Sequence, residues 1–242
     1  MLFRSGSRPQ NPFTDPRLRQ ALALAIDRRQ LVTAVTRRGE LPATAFIPPD
    51  SIPGYPAVTG LDFDPDRARR LLADAGHPGG QGLPALVILY NTGAFHDRIA
   101  EAVAAMWRTH LGLAARGQGM EGKTFREEKK NVRYVICRSI WFGDYGDPTT
   151  FLDMMETGNG NNDSGFADPR YDQLLADARA ETDPARRLAI LADAERYLVN
   201  EALPIIPLYN SVNVFAFDPA RVQNLHLTPR LMTMLKPVEV LP

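Results

Sequence analysis

The chain has 242 residues, 44% of them apolar and 23% charged, enough to bury a sizeable core in one large domain or two small ones. Its 28 Lys and Arg balance its 28 Asp and Glu, so the basic excess of a nucleic-acid binder is absent. No run approaches the roughly 18 apolar residues of a membrane-spanning helix, and the opening MLFRSGSRPQ lacks the apolar core of a signal peptide.

Residues 1–14 hold one short apolar piece, Leu2 and Phe3, followed by Ser, Gly and Pro. A helix comes next. Thr14 or Asp15 supplies its cap, and Pro16 suits its first turn. Leu18, Ala21, Leu22, Ala25, Ile26, Leu31 and Val35 then keep helical spacing until Gly39. Five prolines, at 42, 48, 49, 53 and 56, predict an irregular or extended surface loop between Glu40 and Gly60. FDPDRARRLLADAG reads as a short helix from Asp64 to a stop at Gly76. LPALVILYN has strand length, and FHDRIAEAVAAMWRTHLG is an amphipathic helix. LAARGQGM suggests a further strand and TFREEKK a short helix.

YVICRSIWF has the pattern of a buried strand, with Cys137 as a buried, inert thiol. As the only cysteine, Cys137 excludes an intrachain disulfide. TTFLDMM predicts a turn or two of helix, and GNGNNDSG a loop. DPRYDQLLADARAE and DPARRLAILADAERYLVNE predict consecutive helices, each opened by Asp-Pro. LPIIPLYNSVNVFAF is strand-rich, with Pro204 and Pro207 suited to a sheet edge, and the loosely alternating end suggests one more strand. Strands thus alternate with helices between residues 84 and 217, the pattern of an α/β domain. The expected sheet holds 84–91, 133–142 and part of 204–217. The expected helices cover it at about 15–37, 95–111, 169–181 and 184–200.

The candidate chemistry is narrow. His77, His96, His110 and His226 have no zinc-ligand spacing, and Asp144, Asp147, Asp153 and Asp163 do not follow the order of a calcium loop. Phosphate-cradling and nucleophile-elbow patterns are missing, so neither a metal nor a cofactor is expected. What remains is WFGDYGDPTTF, Trp141 to Phe151. Asp147 before Pro148 reads as a turn or helix cap. Asp144 comes at the end of the expected strand, where the ligand clefts of open α/β sheets lie. Gly143 and Gly146 let the backbone bend and a ligand come close. Trp141, Phe142 and Tyr145 make the surroundings apolar. A carboxylate there holds an ammonium group strongly, and rings add cation–π attraction of about 0.5–2 kcal/mol. While the strand stays extended, Arg138, Ile140, Phe142 and Asp144 share one face. That face presents a cation and an anion about 20 Å of backbone apart, suited to a zwitterion such as a short peptide. On the residues alone two other readings stay open. In one, Arg138 and Asp144 pair with neighbours and the rings belong to the core. In the other, Asp144 and Asp147 do acid–base work in a hydrolase.

Four stretches occur in order: PFTDPRLRQALALAIDRRQLV, FDPDRARRLLADAG, WFGDYGDPTTFLDMM with NNDSGFADPRYDQLLADA, and DPARRLAILADAERYLVNEALPIIPLYN. Together they resemble the extracytoplasmic solute-binding proteins of family 5, which serve oligopeptide, dipeptide and nickel ABC transporters. The resemblance implies a periplasmic-binding-protein-like fold of class II, cluster C. In it this α/β chain is an incomplete protein, a C-terminal lobe over residues 15–221 with a mixed sheet covered by helices. Residues 1–14 would belong to the lobe-crossing hinge, and 222–242 would return to an N-terminal lobe. The implied partners are that lobe, a short peptide and an ABC permease, in a periplasmic or extracytoplasmic setting.

By the same resemblance, Asp144 takes the peptide α-ammonium, Ile140, Trp141 and Phe142 supply the contacts around it, and Arg138 meets a peptide carboxylate. Tyr145 walls the site and Tyr209 lies in the cleft. The expected function is solute capture with no bond to break, hence no enzyme. The alternative is an interaction domain from a truncated gene, and a hydrolase is less favoured. A lone lobe exposes its cleft floor, so self-association is also expected.

Overall fold

The computed structural model describes residues 1–4, 11–93, 95–212, 214, 216–227 and 233–241. Its helices are α1 (Pro16–Leu24), α2 (Arg28–Gln30), α3 (Pro65–Asp74), α4 (His96–Leu111), α5 (Gly122–Lys130), α6 (Thr149–Leu152), α7 (Pro169–Ala180) and α8 (Pro184–Tyr197). Its strands are β1 (Leu2–Phe3), β2 (Leu41–Pro42), β3 (Leu86–Asn91), β4 (Ala115–Met120), β5 (Ile136–Cys137), β6 (Tyr209–Asn210), β7 (Val222–Gln223), β8 (His226–Leu227), β9 (Thr233–Met234) and β10 (Glu239–Val240).

Four helices open on Asp-Pro. The Asp side chain closes the first turn, and the Pro occupies a position whose N–H has no helical partner. Asp15 accepts from Arg17 N at 2.8 Å, Asp64 from Arg67 N at 2.9 Å, Asp168 from Arg170 N at 2.9 Å and Asp183 from Arg186 N at 2.8 Å. The first helix is shorter than its apolar spacing predicts. It stops at Leu24, and Asp27 caps a new start by accepting from Gln30 N at 2.8 Å. A short acidic side chain offers the backbone a local partner and so interrupts the helix. The second helix widens into a π-helical stretch, Leu31–Thr36, which ends at Arg37 in the left-handed conformation (φ 55°) instead of running to Gly39.

The central sheet has the order β1-β5-β3-β4. Strand β3 runs parallel to β4 and β5, and β1 runs antiparallel to β5, which makes the sheet mixed. Successive strand side chains point to opposite faces, so the sheet divides two cores. Phe3, Leu86, Ile88 and Ile136 enter one core with α1, α3 and α4, while Leu2, Leu89 and Cys137 enter the other with α6, α7 and α8.

Two expectations are corrected. The strand expected over 133–142 is regular only at Ile136–Cys137. Its ladder to β3 covers Ile88↔Ile136 and Leu89↔Cys137, with one further bond from Arg138 N to Leu89 O at 2.7 Å. Without a partner beyond that point the pleat is not maintained. Of the described residues in 204–217, only those around Ile205 reach the central sheet, at the edge of β1, where Phe3 N donates to Pro204 O and Ile206 N to Met1 O, both at 2.8 Å. Ile205 makes a single bridge to Leu2, and β6 pairs with β2 in a separate two-stranded sheet. Pro204 and Pro207 have no N–H to give a ladder. Nearer the chain end, β7 pairs with β10 and β8 with β9, both antiparallel.

Buried arginines fasten the 202–207 strap to the first helices. Arg19 donates to Ala202 O at 2.7 Å and to Phe13 O, and Arg28 Nε donates to Pro207 O at 2.9 Å. Burial lowers both guanidinium groups to about 10, which leaves them charged at neutral pH. The 43–60 loop is packed as tightly. A Cβ added at Gly60 would lie 2.2 Å from Thr44 O and 3.0 Å from Val199 Cγ2. Gly60→Ala is therefore expected to lower stability by about 1–3 kcal/mol. Thermal denaturation followed by circular dichroism checks this, and an unchanged midpoint would show that the loop yields freely.

Candidate functional site

The segment after β5 is held by two threonines of α6. Trp141 Nε1 donates to Thr150 O at 2.7 Å, and Asp144 N donates to Thr150 Oγ1 at 2.8 Å. The Tyr145 hydroxyl lies 3.3 Å from Thr149 Oγ1. Gly143 has a packing reason: a Cβ there would sit 3.0 Å from the Phe151 ring. Phe151 meets Phe46 edge to face, with centroids 5.7 Å apart, which joins this segment to the proline-rich loop.

Residues 138–143, 145 and 146, loop residues 43, 45, 46 and 48–52, and strap residues 205–211 line an open, largely apolar cavity of about 790 Å³. Six of the seven candidate residues line it: Arg138, Ile140, Trp141, Phe142, Tyr145 and Tyr209. Asp144 is exposed and does not line it. Its carboxylate makes no hydrogen bond or ion pair among the described residues, and only its backbone N–H is held. The one-face arrangement expected for Arg138, Ile140, Phe142 and Asp144 does not hold. Every residue from Arg138 to Gly143 lines the cavity, because the chain is not pleated there. Ile140, Phe142 and Tyr145 are exposed, so these side chains are not core.

Arg138 is half-buried and donates from Nη1 to Asn91 Oδ1 at 3.2 Å. Burial lowers its pKa, with Tyr209 opposing. Burial raises the Tyr209 phenol, and the Arg138 charge opposes that shift. Among the described residues the other charged side chain in the lining is Asp50, which the sequence reading did not select. The loop around it, with Phe46, Pro48 and Pro49, was also missed as a wall. Its signal was the aromatic residue standing beside a Pro-Pro pair. Burial pushes the Cys137 thiol up to about 12, which leaves it protonated at neutral pH.

Asp147 has the structural role expected of it. It accepts from Thr149 N at 3.1 Å and forms an ion pair with Arg187 Nη1 at 2.7 Å. The Arg187 hydrogen bonds, then those from Thr149, hold its carboxyl down at about 2. An unfolded Asp titrates near 3.9, so the folded value is the lower of the two. The contribution to stability is thus present above about pH 4 and is lost as pH falls from about 4 to about 2. Asp147→Asn is expected to lower the melting temperature at neutral pH and to flatten its fall across that window. A variant profile parallel to the parent's would contradict this assignment.

A mixed sheet between two helical layers, with an open, largely apolar cavity beyond the carboxyl end of one strand, is the architecture of α/β ligand-binding domains. The sequence matches bacterial extracellular solute-binding proteins, family 5 Middle, over residues 2–163, and the chain belongs to that family. It is 34% identical to the dipeptide-binding protein DppE of Bacillus subtilis over 82% of this chain and 38% of that protein. It is 34% identical to the periplasmic oligopeptide-binding protein OppA of Salmonella typhimurium over 86% of this chain and 39% of that protein. Among solved structures, the periplasmic oligopeptide-binding protein OppAIV of Borrelia burgdorferi superposes with a TM-score of 0.87 at 28% identity. That match covers 99% of this chain and 47% of that chain. The chain therefore spans about two-fifths of the length of these curated relatives.

Proposed function

We propose that this chain is the ligand-receiving lobe of a solute-binding protein that captures short peptides for an ABC importer outside the cytoplasm. The observation that carries the reading is the cavity of about 790 Å³, with apolar and aromatic walls and the half-buried cation Arg138 beside Tyr209. Small-ligand pockets have this size and this pairing of apolar walls with a few polar groups. Arg138 takes a peptide carboxylate, the rings take side chains and backbone, and Asp144 takes the α-ammonium from the rim. The relatives are named as binding proteins, and binding without turnover is the expected activity. In this reading 15–221 form the lobe, while 1–14 and 222–242 lead to a second lobe whose wall closes over the ligand. The surface left open by one lobe promotes self-association, which light scattering over a concentration series would register.

The test is titration calorimetry of this chain with a mixture of tri- and tetrapeptides. With one wall, water is not excluded, and a dissociation constant near 1 mM is expected, or about 4 kcal/mol. Absence of binding at ten times that peptide concentration would overturn the reading, and peptide hydrolysis would replace it with the enzyme. Micromolar binding would show that the site is complete within this chain.

A further inference from the structure

The geometry points to Glu195, a residue of α8 outside the cavity, as the group that positions the cavity's proline-rich wall. This rests on the reading of the cavity as a peptide site. Glu195 is 0% exposed and meets no cation in an ion pair among the described residues. Its two oxygens instead hold the loop at both ends. Oε1 accepts from Phe46 N at 2.7 Å and from Ile47 N at 2.8 Å, and Oε2 accepts from the Tyr55 hydroxyl at 2.8 Å. Phe46, Pro48, Pro49, Asp50 and Ser51, all lining the cavity, stand within that span.

The span has little else to hold its shape. Among the described residues, 43–60 contain no strand, and the backbone bonds within 46–55 are local turns, Ser51 N to Pro48 O at 3.4 Å and Tyr55 N to Ile52 O at 3.2 Å. Prolines 48, 49 and 53 remove three further donors. The remaining anchors are apolar packing, with Ile47 and Ile52 buried in the core shared with Leu191, Ala194 and Leu198 of the α8 region and Phe46 edge to face with Phe151, and a longer bond from the Tyr55 hydroxyl to Leu191 O at 3.3 Å. A buried carboxylate is costly unless its lone pairs are filled. Burial raises the Glu195 pKa, and the Ile47, Tyr55 and Phe46 donors oppose that rise. An apolar side chain would fill the same space. Only a forked polar side chain reaches both ends of the wall, so Glu195 is a positioning residue for ligand binding.

Three variants, Glu195→Met, Glu195→Gln and Tyr55→Phe, test this in the full chain. The readouts are trialanine affinity by NMR shift titration and chymotrypsin cleavage after Phe46. Leu72→Ala, in the other core, serves as a control that lowers stability without touching the loop. The Met variant is expected to bind at least ten-fold more weakly and to be cleaved faster. Gln, which keeps the acceptor for both backbone N–H groups, is expected to restore affinity to within about three-fold of the parent. The control is expected to bind like the parent well below its melting temperature. A Met variant that binds and resists cleavage like the parent overturns the proposal, and so does a control that loses as much affinity as Met. Should the Met variant not fold, the double variant Glu195→Gln with Tyr55→Phe decides. It is expected to bind about five-fold more weakly, and unchanged binding overturns the proposal. If the parent itself does not bind trialanine, the peptide reading fails separately. Cleavage alone then decides, with unchanged cleavage of the Met variant overturning the positioning role.

Discussion

Trp107→Ala is expected to lower the free energy of unfolding by about 3–5 kcal/mol. Trp107 is fully buried on α4, against α1 and the sheet, and its removal leaves a cavity that helices on a sheet cannot readily collapse. A second loss adds to the first. Trp107 Nε1 donates to Leu22 O at 2.9 Å, and Leu22 lies in the last turn of α1. Ile26 N bonds to Ala23 O at 3.4 Å instead, so the indole supplies the donor that the ending helix lacks. Trp107→Phe keeps much of the volume and loses the donor, so about 1–3 kcal/mol is expected. Urea denaturation reads both, and the Ala variant's midpoint should fall by about 1–2 M. A fall below about 0.3 M for Trp107→Ala would show that the α1–α4 contact contributes little.

Asp144→Asn is expected to weaken peptide binding at least thirty-fold when the chain is joined to the complementary lobe of a relative, and less than about five-fold in the chain alone. The difference comes from solvent. Asp144 is exposed here, and an exposed ion pair contributes about 0–1 kcal/mol. When a second wall covers it, losing one partner of a desolvated, hydrogen-bonded pair costs about 2–5 kcal/mol. Titration calorimetry on both forms decides. Asp50→Asn belongs beside it, because Asp50 is the acid that lines the cavity while Asp144 stands outside it. A large loss for Asp50→Asn with none for Asp144→Asn would move the ammonium seat from the rim into the cavity.

Helix starts were legible in the sequence. Asp15, Asp64, Asp168 and Asp183 each cap the helix that their Asp-Pro announces, since a cap involves donors only two or three positions away. Gly76 and Gly112 stop α3 and α4 in the left-handed conformation for the same local reason. Asp27 is the local signal that was overridden in reading: apolar spacing continued through it, yet its carboxylate restarts the helix. The α/β class and the family were also legible, because alternating periodicities and ordered motifs are properties of the chain itself.

The cavity was only half legible. Its aromatic segment was read from residues 138–145, whereas the opposite wall, 43–52, looked like an ordinary surface loop. That wall is set by Glu195, some 140–149 positions away along the chain, and no local pattern encodes such a contact. Where β5 ends was decided the same way, by how far β3 offers it a partner, and so was the placement of Asp144 outside the lining. The sequence by itself determined what neighbours within a turn or a pleat determine: caps, stops, periodicity and the order of motifs. The tertiary structure alone decided which residues face one another across the cavity, because that depends on ladder partners and buried acceptors supplied from distant parts of the chain.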